Sequence, residues 1–448
     1  MPTLRRHSLI AILTAAALWL GACTPASDGG DIATSIAGFT TVPGSSPTTP
    51  IPPTRTLDAL ATQLRVIQTQ TASAITRTNT VQPVTRTATP LPPTATPRRA
   101  TPVAPTSASG VVTAQLPQGF VAQKGFWQVY FTAPTGSRDA STYVGGIDEL
   151  LAANIAAARQ TVDMAAYEFN LPTVTRAVLD AARRGVRVRI VTDEDDGLND
   201  EHTTLDQLVA AGIQVVADPR SALMHNKFAI IDSAIVWTGS WNYTINDTYR
   251  NNNNAIVLRS RSAVANFQAE FNEMFADGQF GPRSPENTPN VSFTQDSIPV
   301  EVYFAPETNV LPVLEREINA ARQSIRFMAF SFTIDEMADA ILNRADRQVS
   351  VRGIFETVGS ETRFSELTPL YCGGLDVRQD GSAFILHHKV FIIDDTTVLT
   401  GSFNFSASAT ESNDENLMII RDRDLAAQYL AEFERRWREA RPPEGLSC

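Results

Sequence analysis

The chain has 448 residues, 43% of them hydrophobic, three cysteines and a formal net charge of −11. That length is ample for a two-lobed core, and no cysteine spacing resembles a zinc site. The acidic balance, with no basic cluster in the C-terminal part, disfavours a protein that holds long nucleic acid by counterion release. Arg183-Arg184 and Arg435-Arg436 read instead as solvated helix faces.

At the N-terminus, Arg5 and Arg6 precede an apolar run over residues 9–20, and Gly21 and Ala22 lead into Cys23. This is a secretory signal layout. It resembles the lipobox of bacterial lipoproteins, which implies a signal peptide over residues 1–22, lipidation at Cys23 and the rest of the chain anchored to a membrane of the cell envelope, outside the cytoplasm. Residues 23–118 are dominated by Thr, Pro, Ser and Ala and cannot bury a core, so a disordered tether is expected. With Cys23 lipidated, Cys372 and Cys448 remain, and a disulfide between them is conceivable in an exported domain.

Beyond the tether the chain repeats itself, over residues 119–282 and 296–448. Apolar strands over 162–169 and 325–332 follow helix-like stretches, and each is succeeded by a helix, 173–184 and 334–347, and a second strand, 186–192 and 349–355. Alternating β and α elements predict an α/β fold, with helices on the faces of a sheet in each repeat. Extra residues in the first copy are expected around 135–143. Tyr167, Phe169, Phe330 and Phe332 read as core residues rather than as the lining of an entrance.

The second half of each repeat carries the chemistry. His225, Lys227, Asp232, Gly239, Ser240 and Asn242 recur as His387, Lys389, Asp394, Gly401, Ser402 and Asn404, each pair 162 positions apart (387 less 225). His and Lys two apart on a strand project to one face. A neutral imidazole can attack phosphorus, while an ammonium beside it stabilises the charge that develops on phosphate oxygens. A hairpin would bring Ser240 and Asn242, or Ser402 and Asn404, back as further phosphate donors. Asp232 and Asp394 complete the repeated motif with its catalytic residues, yet seven residues past their His they fall at a strand end and read as turn-stabilising. His388 faces away from its neighbour and reads as structural.

The duplicated His-x-Lys-x4-Asp and Gly-Ser-x-Asn motifs resemble those of the phospholipase D superfamily, over about the C-terminal two-thirds of the chain. The resemblance implies two homologous α/β sandwich repeats in a pseudo-twofold bilobal unit, one site at their interface, a phosphohistidine intermediate, and neither metal nor cofactor. Because both half-sites lie in one chain, a monomer is expected. Members of the family commonly place a carboxylate beyond Gly-Ser-x-Asn to hold the imidazole. Here Glu415 lies 28 residues after His387, and Asn253 lies 28 after His225. On that spacing Glu415 is read as orienting His387 and Asn253 as orienting His225, which makes His387 the acid/base and His225 the nucleophile.

Three functions fit these residues. A phospholipase D-type hydrolase giving phosphatidate and the head-group alcohol is favoured by the expected membrane anchor and the acidic charge. A metal-independent extracytoplasmic endonuclease is the alternative, with nucleic acid a less favoured partner than phospholipid, and phosphatidyl transfer to an alcohol, as in cardiolipin synthesis, would use the same intermediate. A non-catalytic module docking phosphorylated head groups is disfavoured by the intact histidine pair.

Overall fold

The structure, a computed structural model, describes residues 110–448. The expected signal peptide, Cys23 and the tether up to residue 109 lie outside the described residues. The end of the expected tether is corrected: Val112–Leu116 (β1) pairs antiparallel with Gly119–Lys124 (β2). Five residues of alternating exposure, ending on buried Leu116, suffice for an edge strand once β2 supplies a partner.

The first repeat continues with Trp127–Thr132 (β3), Ile147–Ala157 (α1), Thr161–Ala166 (β4), Pro172–Arg183 (α2), Arg187–Asp193 (β5), Leu205–Ala210 (α3), Gln214–Asp218 (β6), Lys227–Ile231 (β7), Ile235–Gly239 (β8), Ile245–Tyr249 (α4), Asn254–Leu258 (β9) and Arg261–Asp277 (α5). The second runs Ser292–Gln295 (β10), Ile298–Ala305 (β11), Leu311–Ala320 (α6), Ser324–Ala329 (β12), Asp335–Ala345 (α7), Ser350–Phe355 (β13), Thr357–Ser360 (α8), Leu367–Cys372 (α9), Asp376–Gln379 (β14), Lys389–Ile393 (β15), Thr397–Gly401 (β16), Ala407–Glu411 (α10), Glu415–Ile420 (β17) and Arg423–Glu439 (α11). The sheets are ordered β1-β2-β3-β9-β8-β7-β4-β5-β6 and β10-β11-β17-β16-β15-β12-β13-β14. From β3 and β11 onward the two orders are the same, so the fold is two homologous α/β repeats. Crossover helices make β4-β5-β6 and β12-β13-β14 parallel; the other neighbours are antiparallel, some through hairpins such as β7-β8 and others, such as β3-β9 and β4-β7, across long connections.

The two repeats share one core. Helix α5 brings Phe267, Phe271 and Met274, and α11 brings Leu425, Tyr429 and Phe433, into a cluster with the inner faces of both sheets. Phe267 meets Phe304 edge-on at 5.1 Å, and Phe131 meets Tyr429 likewise at 5.1 Å, each contact crossing from one repeat to the other. A separate cluster lies under α6 and α7 on the outer face of the second sheet. The expectation for Arg436 is overturned. It is 7% exposed and donates to Asn252 Oδ1 at 2.7 Å, so its charge serves the seam between the repeats rather than a solvated face.

Cys372, at the end of α9, is disulfide-bonded to Cys448 with their Cα atoms 5.5 Å apart. The bridge closes a loop of 76 residues, for which chain entropy alone predicts about 4 kcal/mol of stabilisation. Guanidinium unfolding should therefore shift to lower midpoint on reduction or in Cys448→Ser, with a loss of up to that size. Identical midpoints with and without reductant would show that the bridge contributes nothing.

Candidate active site

Strands β7 and β15 each begin at the motif lysine, with the histidine two residues before on the same face. Lys227 Nζ donates to the carbonyl of His225 at 2.7 Å, and Lys389 Nζ to that of His387 at 3.1 Å, so each ammonium is folded back along its own strand start. Aromatic rings wall both pairs. Tyr167 stands edge-on to His225 at 4.9 Å and under Lys227 at 4.7 Å; Phe330 does the same for His387 at 4.8 Å and Lys389 at 4.6 Å. Tyr167 is 1% exposed, as the core reading expects, and touches the site from within; Phe330 is only partly buried and walls the site, whereas Phe169 and Phe332 pack into aromatic clusters.

The repeats meet through two short parallel β-bridges, Met224 with Asp414 and Asn252 with Leu386. The amide of Asp414 donates to Leu223 at 2.9 Å, that of Asn252 to Ile385 at 2.8 Å and that of His387 to Asn252 at 2.9 Å. Each bridge sits one residue before a histidine on one side and one residue before its orienting group on the other. The orienting groups are therefore exchanged between repeats, which corrects the sequence reading. His225 Nδ1 lies 2.7 Å from Glu415 Oε1, and His387 Nδ1 lies 3.0 Å from Asn253 Oδ1. Spacing within one repeat suggested the opposite pairing because it carries no information about which strand end faces which.

The serines also take a different place. Ser240 Oγ donates to Asn253 Oδ1 at 2.8 Å and Ser402 Oγ to Glu415 Oε2 at 2.6 Å, and both hydroxyls accept a backbone N–H, from Asn254 and Asn416. Each hydroxyl has one proton, and it is spent on the group behind the imidazole, so neither serine is a phosphate donor. The Gly before each serine is needed for this approach. At Gly239 and Gly401, with φ of 140° and 150°, a Cβ would lie 2.4 Å and 2.2 Å from the carbonyl oxygens of Asn254 and Asn416. Asn242 and Asn404 are 5% and 9% exposed, and their buried Oδ1 atoms lack a hydrogen-bond partner.

Asp232 and Asp394 lie beyond the far ends of β7 and β15 from the imidazoles, which removes them from the catalytic set. Asp232 accepts from the amides of Arg159, Gln160 and Thr161 at 2.7–3.1 Å, and Asp394 from those of Arg322, Gln323 and Ser324 at the same distances. Both residues, with φ of 52°, begin tight turns whose next residue is also left-handed. Burial pushes the Asp232 carboxyl up, but the amides of Thr161, Gln160 and Arg159 together outweigh it and hold the group below its ordinary range.

Burial, aided by the lysine ammoniums, holds both His225 and His387 well below the ordinary imidazole value. Burial pushes the Glu415 carboxyl up to about 8, although Lys227 and Lys389 pull the other way. Sequence reasoning missed two carboxylates. Asp247, in α4, accepts from the Asn242 amide at 2.9 Å and reaches to 3.4 Å from His387 Nδ1; burial raises its affinity for a proton. Its equivalent in the second repeat is Ala409, a difference that aligning the repeats at the same offset would have exposed. Glu168 Oε2 lies 3.4 Å from Asn242 Nδ2, and burial together with the Asp247 charge lifts its carboxyl to about 8.

If the motif aspartates only staple turns, Asp232→Ala should lower unfolding free energy by about 1–2 kcal/mol, the scale of lost charge-assisted hydrogen bonds, and leave kcat within a few-fold. A loss of kcat by orders of magnitude at unchanged stability would return Asp232 to the catalytic set.

A model of the cardiolipin synthase, PLD-like domain matches the chain twice, over residues 151–275 and 314–437. Over 122 residues the chain is 38% identical to the mitochondrial cardiolipin hydrolase of Xenopus tropicalis, covering 27% of this chain and 58% of that protein. Over 131 residues it is 37% identical to a phospholipase D of Rickettsia felis, covering 29% and 66%. The chain thus spans about three-fifths to two-thirds of the length of these relatives. The solved phosphatidylserine synthase of Haemophilus influenzae shares the fold, with a TM-score of 0.51 at 14% identity over 66% of this chain and 85% of that one. With both repeats matched, over more than half of its length, the chain belongs to the phospholipase D superfamily.

Proposed function

We propose that this protein hydrolyses the distal phosphodiester of glycerophospholipids, giving phosphatidate and the head-group alcohol through a phosphohistidine. The observation that carries this reading is the pair of buried imidazoles, each beside a lysine and each held at Nδ1 by an acceptor from the other repeat. Nε2 is then the nitrogen for transfer in both rings.

The exchange of orienting groups removes the original ground for the role assignment and supplies a better one. A carboxylate accepting from Nδ1 keeps the lone pair on Nε2 of His225 and stabilises the positive charge that its ring gains as it bonds to phosphorus. His225 is therefore the nucleophile. His387, held by a neutral amide with Asp247 farther off, releases a proton more readily. As His225 Nε2 forms the N–P bond, the P–O bond to the head group breaks and His387 Nε2 delivers its proton to the leaving oxygen. Water then attacks phosphorus, His387 takes its proton, and the P–N bond breaks to free phosphatidate. Lys227 and Lys389, with Asn242 and Asn404, hold the non-bridging oxygens. An anionic phosphodiester between the imidazoles offsets the lysine charges that otherwise keep His387 from holding a proton.

Lipid is preferred over nucleic acid because relatives bear the names phospholipase D and cardiolipin hydrolase, and because Glu168 brings a further carboxylate to the site. A lipid-anchored lipoprotein in the cell envelope, with Cys23 as anchor and residues up to about 109 as tether, remains part of the proposal. The Cys372–Cys448 bridge fits an oxidising compartment.

On phosphatidylcholine vesicles the protein should release choline, and His225→Ala should abolish it; in His387→Asn, a phosphatidyl group should accumulate on His225, read by mass spectrometry of the quenched protein. Cleavage of single-stranded DNA without choline release would make it a nuclease instead, a phosphatidyl-alcohol product a transferase, and a phosphatidyl group trapped on His387 in His225→Asn would reverse the roles. The pH dependence is a second test. Because Glu415 in the fold takes up a proton as pH falls through about 8, protonation of its pair with His225 occupies the attacking nitrogen, and kcat/KM should fall on the acid side of that value. Glu415→Gln should lower the rate at least 100-fold and lose that limb; a limb unchanged in the variant would place the ionisation elsewhere.

A further inference from the structure

Away from the imidazoles, the seam between the repeats holds three carboxylates whose nearest oxygens all lie within 4.8 Å of one another: Glu270 and Glu273 from α5 in the first repeat, and Glu307 from the segment after β11 in the second. Their hydrogen bonding is incomplete. Asn226 Nδ2 donates to Glu270 Oε1 at 2.8 Å and Asn287 Nδ2 to Glu273 Oε2 at 2.9 Å. Glu273, 3% exposed, presents a buried Oε1, and Glu307, which lies against the Glu270 carboxyl, a buried Oε2, each without a donor in good geometry among the described residues. Ser284, 8% exposed, adds a buried hydroxyl beside the Glu273 carboxyl, in poor geometry for a hydrogen bond to it. Arg220, a cation of the same seam, is already engaged by Asp218 and Asp414. Two buried carboxylates and a partly buried third, with two side-chain amides donating to them, are a costly arrangement unless something positive sits among them.

We propose that Glu270, Glu273 and Glu307 hold a calcium ion that ties the two repeats together. The donor set is all hard oxygen, which selects calcium, magnesium or manganese over softer ions. Hydration decides among these: magnesium usually keeps several of its waters and demands octahedral geometry, whereas calcium takes protein carboxylates in flexible number and geometry. The position gives the ion its effect. Asn226, which donates to Glu270, also accepts from Asn416 Nδ2 of the second repeat at 2.8 Å and follows His225 directly, so the ion would brace the same seam that the active site uses. It takes no part in the phosphoryl transfer.

The test is calorimetric titration of calcium into the chelator-treated full chain, with thermal unfolding in parallel. One equivalent should bind, the unfolding midpoint should rise by several degrees, and magnesium should compete weakly. Glu273→Gln and, should that variant not fold, Glu307→Gln should weaken binding at least 10-fold and lose the thermal gain. No binding up to millimolar calcium, binding at undiminished affinity in a folded variant, or preference for magnesium would each overturn the proposal.

Discussion

Two backbone bridges, Met224 with Asp414 and Asn252 with Leu386, hold the ends of the catalytic strands of one repeat against those of the other. Around them the side chains reciprocate: Thr238 donates to Asn416 Oδ1 at 2.9 Å while Thr400 donates to Asn254 Oδ1 at 3.1 Å, and Asn416 reaches Asn226 as Asn254 reaches His388. Because the bridges run parallel and sit one residue short of each histidine, they dictate that the next residue along the opposing strand end becomes that histidine's partner. Everything polar in the site inherits its geometry from this register, including the serines behind the partners and the glycines that let those serines approach.

The exchange explains how a duplicated motif makes an unequal pair. Where the first repeat has Asp247 and Asn253, the second has Ala409 and Glu415. Crossing these over gives His225 a direct carboxylate and His387 an amide with a carboxylate at 3.4 Å. The unequal support arises from only two substitutions between the copies, on a scaffold otherwise related by its pseudo-twofold. A shared core threaded by α5 and α11 keeps that arrangement rigid, since neither sheet can bury its inner face alone.

Much of this was legible in the chain itself. Period-two strands, helices between them and the 162-residue offset led to two α/β repeats, and the His-x-Lys spacing led to both half-sites. What was not legible was tertiary register. Glu415 belongs to the other histidine because of a bridge between residues 190 positions apart, and no spacing rule sees that. Ser240 and Ser402 look like phosphate donors until their single protons are counted against Asn253 and Glu415. Asp247 hid inside a five-residue helix, and Arg436 looked solvated because its partner Asn252 lies across the seam. Asp232 was the converse case, where a position at the strand end already argued for a turn against its place in the motif.

The crossed pairing is most directly tested by nitrogen NMR of the histidine side chains in the free protein and in Glu415→Gln. Above pH 8, where the Glu415 carboxyl is ionised, the crossed pairing predicts His225 with its proton on Nδ1 and Nε2 bare, and predicts that the substitution moves the His225 resonances and their titration while leaving those of His387 in place. Resonances of His387 that shift while those of His225 stay fixed would contradict the exchange, and with it the account of how two copies of one motif form a single unequal site.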